Sequence, residues 1–221
     1  MTSPRAYVFD AYGTLFDVHS AAARYKDEIG ASWDRMSQLW RTKHLEYTWI
    51  HAQTDRHTRF WTLAERSLDY AIAATGGVPV GVRGKLLDAY LTLAAYPEVA
   101  GVLAALKARG ARLAILTNGD PEMIDAAVRS SGLGGMLDAV VTVHEAGVFK
   151  PDKRVYKLAT ERFDLAPGDI SFQSSNRWDI AGAKVFGMRC VWINRSGAPD
   201  EYPDMAPDHI VRDLTALTEI S

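Results

Sequence analysis

The feature that most constrains the fold is a series of short apolar runs, each followed by a polar or glycine-containing turn. The runs cover residues 6–9, 113–116, 139–143, 170–172 and 190–193. Amphipathic helical patterns lie between the later runs, at residues 98–109, 121–130, 153–163 and 180–186. Strands that alternate with helices form a parallel sheet covered by helices on both faces. The sequence therefore predicts an α/β protein with a Rossmann-like parallel sheet.

One connection is too long for this pattern. About a hundred residues separate the first two runs, whereas a parallel crossover needs about a dozen. Residues 17–96 lack convincing strands, and their large apolar side chains recur at helical spacings. We therefore predict a Rossmann-like catalytic core of residues 1–16 and 97–221 and an inserted helical cap of residues 17–96. The hinges are expected near residues 16–20 and 95–97.

Charge and cysteine content limit the partners and the setting. A formal net charge of -2 gives no basic field with which to hold a nucleic acid or an anionic membrane. We therefore expect a small-molecule substrate and no nucleic-acid or membrane partner. The single cysteine, Cys190, excludes an intrachain disulfide and fits a reducing compartment. No leader-like or membrane-spanning segment is evident, so the expected location is cytoplasmic.

Four polar residues follow four of the predicted strands. They are Asp10, Thr117, Lys150 and Ser174. Ligands of open parallel sheets bind at the carboxyl ends of the strands, so these side chains should converge on one point. Each of them alone is more often a turn former or a helix cap, but together they predict a catalytic site.

In identity, order and context, this pattern resembles the haloacid dehalogenase superfamily over essentially the whole chain. Three segments are similar to L-2-haloacid dehalogenases in particular: Asp-Ala-Tyr-Gly-Thr-Leu-Phe-Asp-Val from residue 10, Trp-Arg followed by Leu-Glu-Tyr from residue 40, and Ser-Ser-Asn-x-Trp-Asp from residue 174. Two positions depart from that family, because Thr117 replaces the commoner Ser and Thr42 replaces a Gln. These departures leave substrate size and halide preference open.

Two other positions separate dehalogenases from the phosphatases of the superfamily. Phosphatases carry a second carboxylic acid where this chain has Tyr12, and that acid protonates a leaving alcohol. Halide leaves as the anion of a strong acid and needs no proton. Phosphatases also carry an Asp at the position of Ser174, which helps to hold Mg²⁺. We therefore predict cleavage of a carbon–halogen bond without a metal or another cofactor.

The resemblance implies a role for each matching residue. Asp10 would attack carbon 2 of an L-2-halo acid and form an ester, and inversion would give a D-2-hydroxy acid. Lys150 would keep Asp10 ionised. The halide would be held by Arg41, Asn118 and the edge of Phe60. Thr117 and the backbone N–H groups after Asp10, Ala11 among them, would bind the substrate carboxylate. The hydrolytic water would be positioned by Ser174, Asn176 and Asp179, with Thr14 and Tyr156 as supporting residues. The pocket for the alkyl group would be lined by Tyr12, Leu45 and Trp178.

Several alternatives stay open at this point. Asp179 or Lys150 could activate the water. A superfamily phosphatase, another small-molecule hydrolase and a catalytically silent binding protein are competing functions. Arg41 could instead be a solvated residue paired with Glu46, and Trp61 is read as packing of the cap. The resemblance also allows a homodimer.

Two further patterns predict structural roles. The spacing of His44, His51 and His57 does not place a metal pair on one helix face, so packing or surface positions are expected for them. The glycine-rich segment 132–135 follows a helix and predicts a helix end with a loop, not a phosphate site.

Overall fold

The protein is described by a computed structural model over residues 4–220. Residues 1–3 and 221 lie outside the described residues. They belong to the predicted core, and residues 1–3 also belong to the segment for which no leader is expected. Residues 4–220 form one six-stranded sheet, ordered β3-β2-β1-β4-β5-β6, in which every neighbouring pair is parallel. The strands are β1 (Ala6–Phe9), β2 (Arg112–Thr117), β3 (Ala139–Thr142), β4 (Ile170–Ser174), β5 (Arg189–Ile193) and β6 (His209–Val211).

The predicted α/β architecture is confirmed, and the five predicted strands fall on β1 to β5. The sixth strand was missed. β6 has only three residues at the edge of the sheet, two of them exposed, so it shows no apolar run. Edge strands need not be apolar, and burial patterns therefore reveal them poorly.

Five helices lie within residues 17–96, where the sequence predicts a helical insertion. They are α1 (Ser20–Arg24), α2 (Lys26–Ile29), α3 (Trp33–Gln53), α4 (Phe60–Ala74) and α5 (Val82–Tyr90). The chain leaves and rejoins the sheet at neighbouring places, since Asp17 N donates to Ala94 O at 2.8 Å and Tyr96 N donates to Leu15 O at 3.0 Å. The exact division into a core and a cap stays a prediction.

Four helices accompany the later strands: α6 (Val99–Ala108), α7 (Pro121–Ser131), α8 (Lys153–Phe163) and α9 (Arg177–Phe186). Gly132 ends α7 with a φ of 71°, a conformation that glycine adopts without strain, as the sequence predicts. The predicted start of α9 at residue 180 was wrong, because the helix begins at Arg177. Its first turn is polar, as a loop would be, and it contains Asp179, whose buried carboxylate pairs with Lys150.

The sheet order places β1 in the interior, where the order of the strands reverses between β1 and β4. Such a reversal opens a crevice at the carboxyl ends of the strands. A continuous apolar core runs from the sheet into the inserted helices. None of the helices within residues 4–220 is long and apolar enough to cross a membrane.

Candidate active site

The carboxylate of Asp10 lies directly after β1 and is almost fully buried, with 6% of the residue exposed. Its Oδ2 atom accepts hydrogen bonds from Thr14 Oγ1 at 2.9 Å and Asn176 Nδ2 at 2.8 Å, and Ser174 Oγ lies 3.4 Å away. Its Oδ1 atom faces Lys150 Nζ at 3.2 Å. These contacts fix the orientation of the Asp10 carboxylate from both of its oxygen atoms.

Lys150 lies between two buried carboxylates. Its Nζ atom is 2.8 Å from Asp179 Oδ2 as well as 3.2 Å from Asp10 Oδ1, and Lys150 and Asp179 are both fully buried. Burial disfavours the ammonium, but the charges of Asp10 and Asp179 outweigh burial and raise the pKa of Lys150 above its ordinary value. The lysine is therefore a fixed cation at neutral pH.

Asp179 has both carboxylate oxygens engaged. Oδ2 accepts from Lys150, and Oδ1 accepts from Tyr156 Oη at 2.8 Å. Burial raises the pKa of Asp179 to about 6, against the lowering effect of Lys150. The group can therefore take up a proton near neutral pH, as a general base must.

Arg41 reaches the site from the inserted helix α3. One of its nitrogens, Nη2, donates to the backbone oxygen of Tyr12 at 3.0 Å and to Asn176 Oδ1 at 3.1 Å. The alternative partner, Glu46, instead pairs with Lys43 at 2.7 Å. Arg41 is thus turned toward the end of β1, and the Asn176 amide connects the guanidinium to Asp10.

Thr117 and Asn118 lie at the end of β2. The hydroxyl of Thr117 is buried and accepts from Gly119 N at 3.0 Å. Asn118 Oδ1 accepts from the backbone N–H of Lys150 at 3.0 Å. This bond joins Asn118 to the loop that carries Lys150, while the contact of Asn118 with halide stays a prediction.

Tyr12, Tyr90 and Phe60 form an aromatic wall. Tyr12 stacks on Tyr90 with ring centroids 5.7 Å apart, and the ring of Phe60 lies 5.5 Å from that of Tyr12. Burial raises the pKa of the Tyr12 hydroxyl well above its usual value, so this residue is a poor proton donor. Leu45 and Trp178 line the adjoining cleft of about 430 Å³ together with Arg41 and Asn176.

Five further positions were singled out from the sequence, and three of them, His44, His57 and Trp61, pack against aromatic or apolar side chains. His44 is buried against Phe60, with ring centroids 3.9 Å apart, and burial lowers its pKa to about 3. His51 contacts the backbone oxygen of Arg56, and the His57 ring lies 5.2 Å from that of Phe149. Trp61 packs half-buried against the apolar core, whereas the backbone of Ala11 accepts the hydrogen bonds that form the turn after Asp10.

Sequence reasoning missed three residues of this region. Ser175 N donates to Thr14 Oγ1 at 2.8 Å, Tyr90 stacks on Tyr12, and Asp120 binds the first backbone N–H groups of α4. Ser175 lies between the predicted residues Ser174 and Asn176, and Asp120 lies two residues after Asn118, which was an available signal. Tyr90 lies far along the chain in α5, and only the tertiary fold brings it to Tyr12.

The donor set does not suit a divalent cation. A hard cation prefers several carboxylate oxygens, yet the ammonium of Lys150 already stands between Asp10 and Asp179. Across residues 4–220, no group of three or more His, Cys, Asp or Glu side chains is arranged to hold a metal ion. Independence from metal stays a prediction for this chain.

Comparison with known proteins gives a consistent result. The profile of one family, haloacid dehalogenase-like hydrolase, matches residues 4–187. The (S)-2-haloacid dehalogenase 1 of Pseudomonas sp. strain CBS-3 is 42% identical over 98% of this chain and 96% of its own length.

Solved structures agree with the sequence comparison. A crystal structure of a dehalogenase superimposes with a TM-score of 0.96 at 42% identity, covering 98% of this chain and 96% of the other. The L-2-haloacid dehalogenase of Xanthobacter autotrophicus, with chloropropionic acid covalently bound, gives a TM-score of 0.86 at 34% identity, covering 98% of this chain and 97% of the other.

Proposed function

The chain belongs to the haloacid dehalogenase-like hydrolases, and from this premise we propose that it hydrolyses small L-2-haloalkanoic acids to D-2-hydroxy acids through an aspartyl ester. The observation that carries the proposal is the buried carboxylate of Asp10. It contacts the ammonium of Lys150 directly and is joined through Asn176 to the guanidinium of Arg41. A nucleophile beside two cations suits an anionic substrate that releases an anion.

In the first step, a carboxylate oxygen of Asp10 forms a bond to carbon 2 of the substrate. The carbon–halogen bond breaks on the opposite side, and the halide leaves with the electron pair. In-line attack inverts the configuration of carbon 2, so an L substrate gives a D product. Thr14, Asn176 and Lys150 hold the carboxylate in place for this attack.

The departing halide needs a charge partner in a site sheltered from water. We assign this role to the guanidinium of Arg41, whose two hydrogen bonds in the site use Nη2. The edge of Phe60 completes the cradle, with Asn118 on the core side. Thr117 and the backbone N–H groups after Asp10 would bind the substrate carboxylate.

In the second step, water attacks the ester carbonyl of Asp10. The bond between that carbonyl carbon and the substrate oxygen breaks, which regenerates the carboxylate and releases the hydroxy acid. The water must lose a proton and the departing oxygen must gain one. Asp179 is the base that we favour, because its pKa of about 6 leaves it ionised at neutral pH. Ser174 and Asn176 would orient the water.

A phosphatase is disfavoured by the surroundings of Tyr12. The position of the second acid holds a buried phenol that stacks on Tyr90 and cannot protonate an alkoxide readily. Its ring instead forms an apolar wall for the alkyl group, together with Leu45 and Trp178.

The test is halide release from (S)- and (R)-2-chloropropionate with excess chelator, alongside an aryl phosphate. We expect release from the S enantiomer alone, formation of (R)-lactate, and no change when Mg²⁺ is added. Asp10→Ala should release no halide, and a surface control, Asp213→Ala, should act as the wild type. Activity on the aryl phosphate alone, or activity only with Mg²⁺, would contradict the proposal.

We also infer a cytoplasmic location and a homodimer. The lone Cys190 supports the first inference, because it is buried and its pKa is raised to about 12, mainly by burial, as suits an unreactive thiol in a reducing compartment. The family resemblance supports the second. Cell fractionation and light scattering after gel filtration test the two inferences separately.

A further inference from the structure

Helix α4 begins without a cap of its own. The residue before it, Arg59, is extended and contributes no side-chain hydrogen bond to the helix. The first backbone N–H groups of a helix have no partner within the helix and must find one elsewhere. Here they bind Asp120: Phe60 N donates to Oδ1 at 3.1 Å, and Trp61 N donates to Oδ2 at 2.9 Å.

Asp120 stands where an aspartate ordinarily caps the helix that follows it. It precedes α7, with Pro121 in the first turn, yet its side chain makes no cap hydrogen bond to that helix. The carboxylate is instead directed to α4, where Arg59 Nε also lies 3.6 Å from its Oδ2 atom. Because Asp120 is 7% exposed, this contact between core and inserted helix is largely shielded from water.

The loop that carries Asp120 is itself fixed to the site. It contains Thr117 and Asn118, and Asn118 accepts from the backbone of Lys150. Gly119 packs so closely on the Tyr12 ring that a Cβ atom there would come within 2.8 Å of it. The loop is therefore a rigid platform from which the Asp120 carboxylate holds the start of α4.

Phe60, the first residue of α4, is held on both sides of its backbone. Its N–H donates to Asp120, and its carbonyl accepts from His44 Nε2 at 3.1 Å. Its ring lies between those of His44 and Tyr12, with centroid distances of 3.9 Å and 5.5 Å. A shift at the start of the helix would therefore move this ring relative to the nucleophile.

We propose that Asp120 is a positioning residue, which holds the first turn of α4 on the core and thereby places the Phe60 ring beside the reacting halide. The inference rests on the proposed dehalogenase activity. It assigns the position of the Phe60 ring to a contact with the core that lies outside the aromatic wall. Asp120 touches no reacting atom and acts through Phe60.

Kinetics of single and double variants test this role. Asp120→Ala should lower kcat/KM for (S)-2-chloropropionate about tenfold, chiefly through kcat, as expected for loss of a buried helix cap that orients a reacting group. Asp120→Asn retains one acceptor oxygen and should recover part of the loss. In a Phe60→Ala background the same Asp120→Ala change should cost less than about twofold, because residues acting through one another are not additive.

The matched control is Asp213→Ala, which removes a capping aspartate that accepts from Thr215 N, far along the chain from the site. It should leave kcat/KM unchanged. An Asp120→Ala loss that persists in full without the Phe60 ring would overturn the proposal, as would a folded Asp120→Ala variant with wild-type kinetics.

Amide hydrogen exchange separates failure of this inference from failure of the proposed function. Exchange at Phe60 and Trp61 should quicken in Asp120→Ala whatever the substrate is, since both N–H groups lose their acceptor. A wild-type protein that releases no halide would refute the proposed activity, whereas unchanged exchange at these two amides would refute the contact itself.

Discussion

Replacing Lys150 with methionine removes the cation that separates two buried carboxylates. Methionine has nearly the same length and is apolar, so the change leaves the volume of the side chain largely filled. Asp10 Oδ1 and Asp179 Oδ2, now 3.2 Å and 2.8 Å from the ammonium, lose their charge partner together. The other carboxylate oxygen of Asp179 accepts a hydrogen bond from the uncharged hydroxyl of Tyr156.

The expected cost follows from the burial of all three groups. Removing one member of a buried, hydrogen-bonded ion pair costs about 3–5 kcal/mol, because the remaining charge is left in an apolar setting. For a chain of this length, each kcal/mol lowers Tm by about 2–4 °C. We therefore expect Tm to fall by roughly 6–20 °C at neutral pH.

The loss should grow with pH. Lys150 is one of the groups that lower the pKa of Asp179, which burial raises from 3.8 to about 6. Without the lysine that pKa rises further, so the folded variant holds a proton that the unfolded chain has released. A raised pKa stabilises the fold below the unfolded value, and this stability is lost as pH rises through the folded value. The gap to wild type should therefore widen above about pH 6.

Thermal and denaturant unfolding of both proteins between about pH 5 and pH 8 measures this gap. Lys184→Met is the matched control, since Lys184 forms a partly exposed ion pair with Asp208 at 2.7 Å, and such pairs contribute about 0–1 kcal/mol. Halide release by Lys150→Met should fall about a hundredfold or more, because Asp10 loses the ammonium that holds its carboxylate in place for attack. A loss below about 1 kcal/mol that does not change with pH would refute this reasoning.

The other predictions concern pH and charge. If Asp179 is the base, kcat/KM should fall about tenfold from its plateau one pH unit below the pKa of about 6, and a rate profile without this acid limb would contradict the assignment. Tyr156→Phe removes a hydrogen bond that lowers the pKa of Asp179, so the acid limb should move to higher pH; a shift to lower pH would argue against this bond. Arg41→Lys keeps the charge but not the planar guanidinium, whose Nη2 atom donates to both Tyr12 O and Asn176 Oδ1, so kcat/KM should fall about a hundredfold. Wild-type kinetics would exclude Arg41 from the halide site.

The sequence predicted the sheet well because the buried strands of a parallel sheet read as continuous apolar runs. It also predicted which polar residues stand at the ends of the strands, because a position directly after an apolar run can be read from the local sequence. β6 escaped detection because it is exposed at the sheet edge. The first turn of α9 escaped because Arg177 and Asp179 serve buried polar contacts and so interrupt the apolar pattern.

The contacts made by inserted helices could not be predicted from spacing alone. Arg41 has a possible partner five positions away in Glu46, and only the packing of α3 against the core directs it to Tyr12 and Asn176. Asp120 likewise looks like the cap of its own helix. Both side chains bind partners that are distant in sequence, and local sequence patterns cannot predict such pairs.

A single turnover in heavy-oxygen water, with enzyme in excess over (S)-2-chloropropionate, tests the covalent route most directly. If water opens an ester at residue 10, mass spectrometry should find the heavy isotope in the peptide that contains Asp10, and the lactate formed should carry ordinary oxygen from the enzyme. Heavy oxygen in the lactate with an unlabelled Asp10 would mean that water attacks the substrate carbon itself, and would contradict the account.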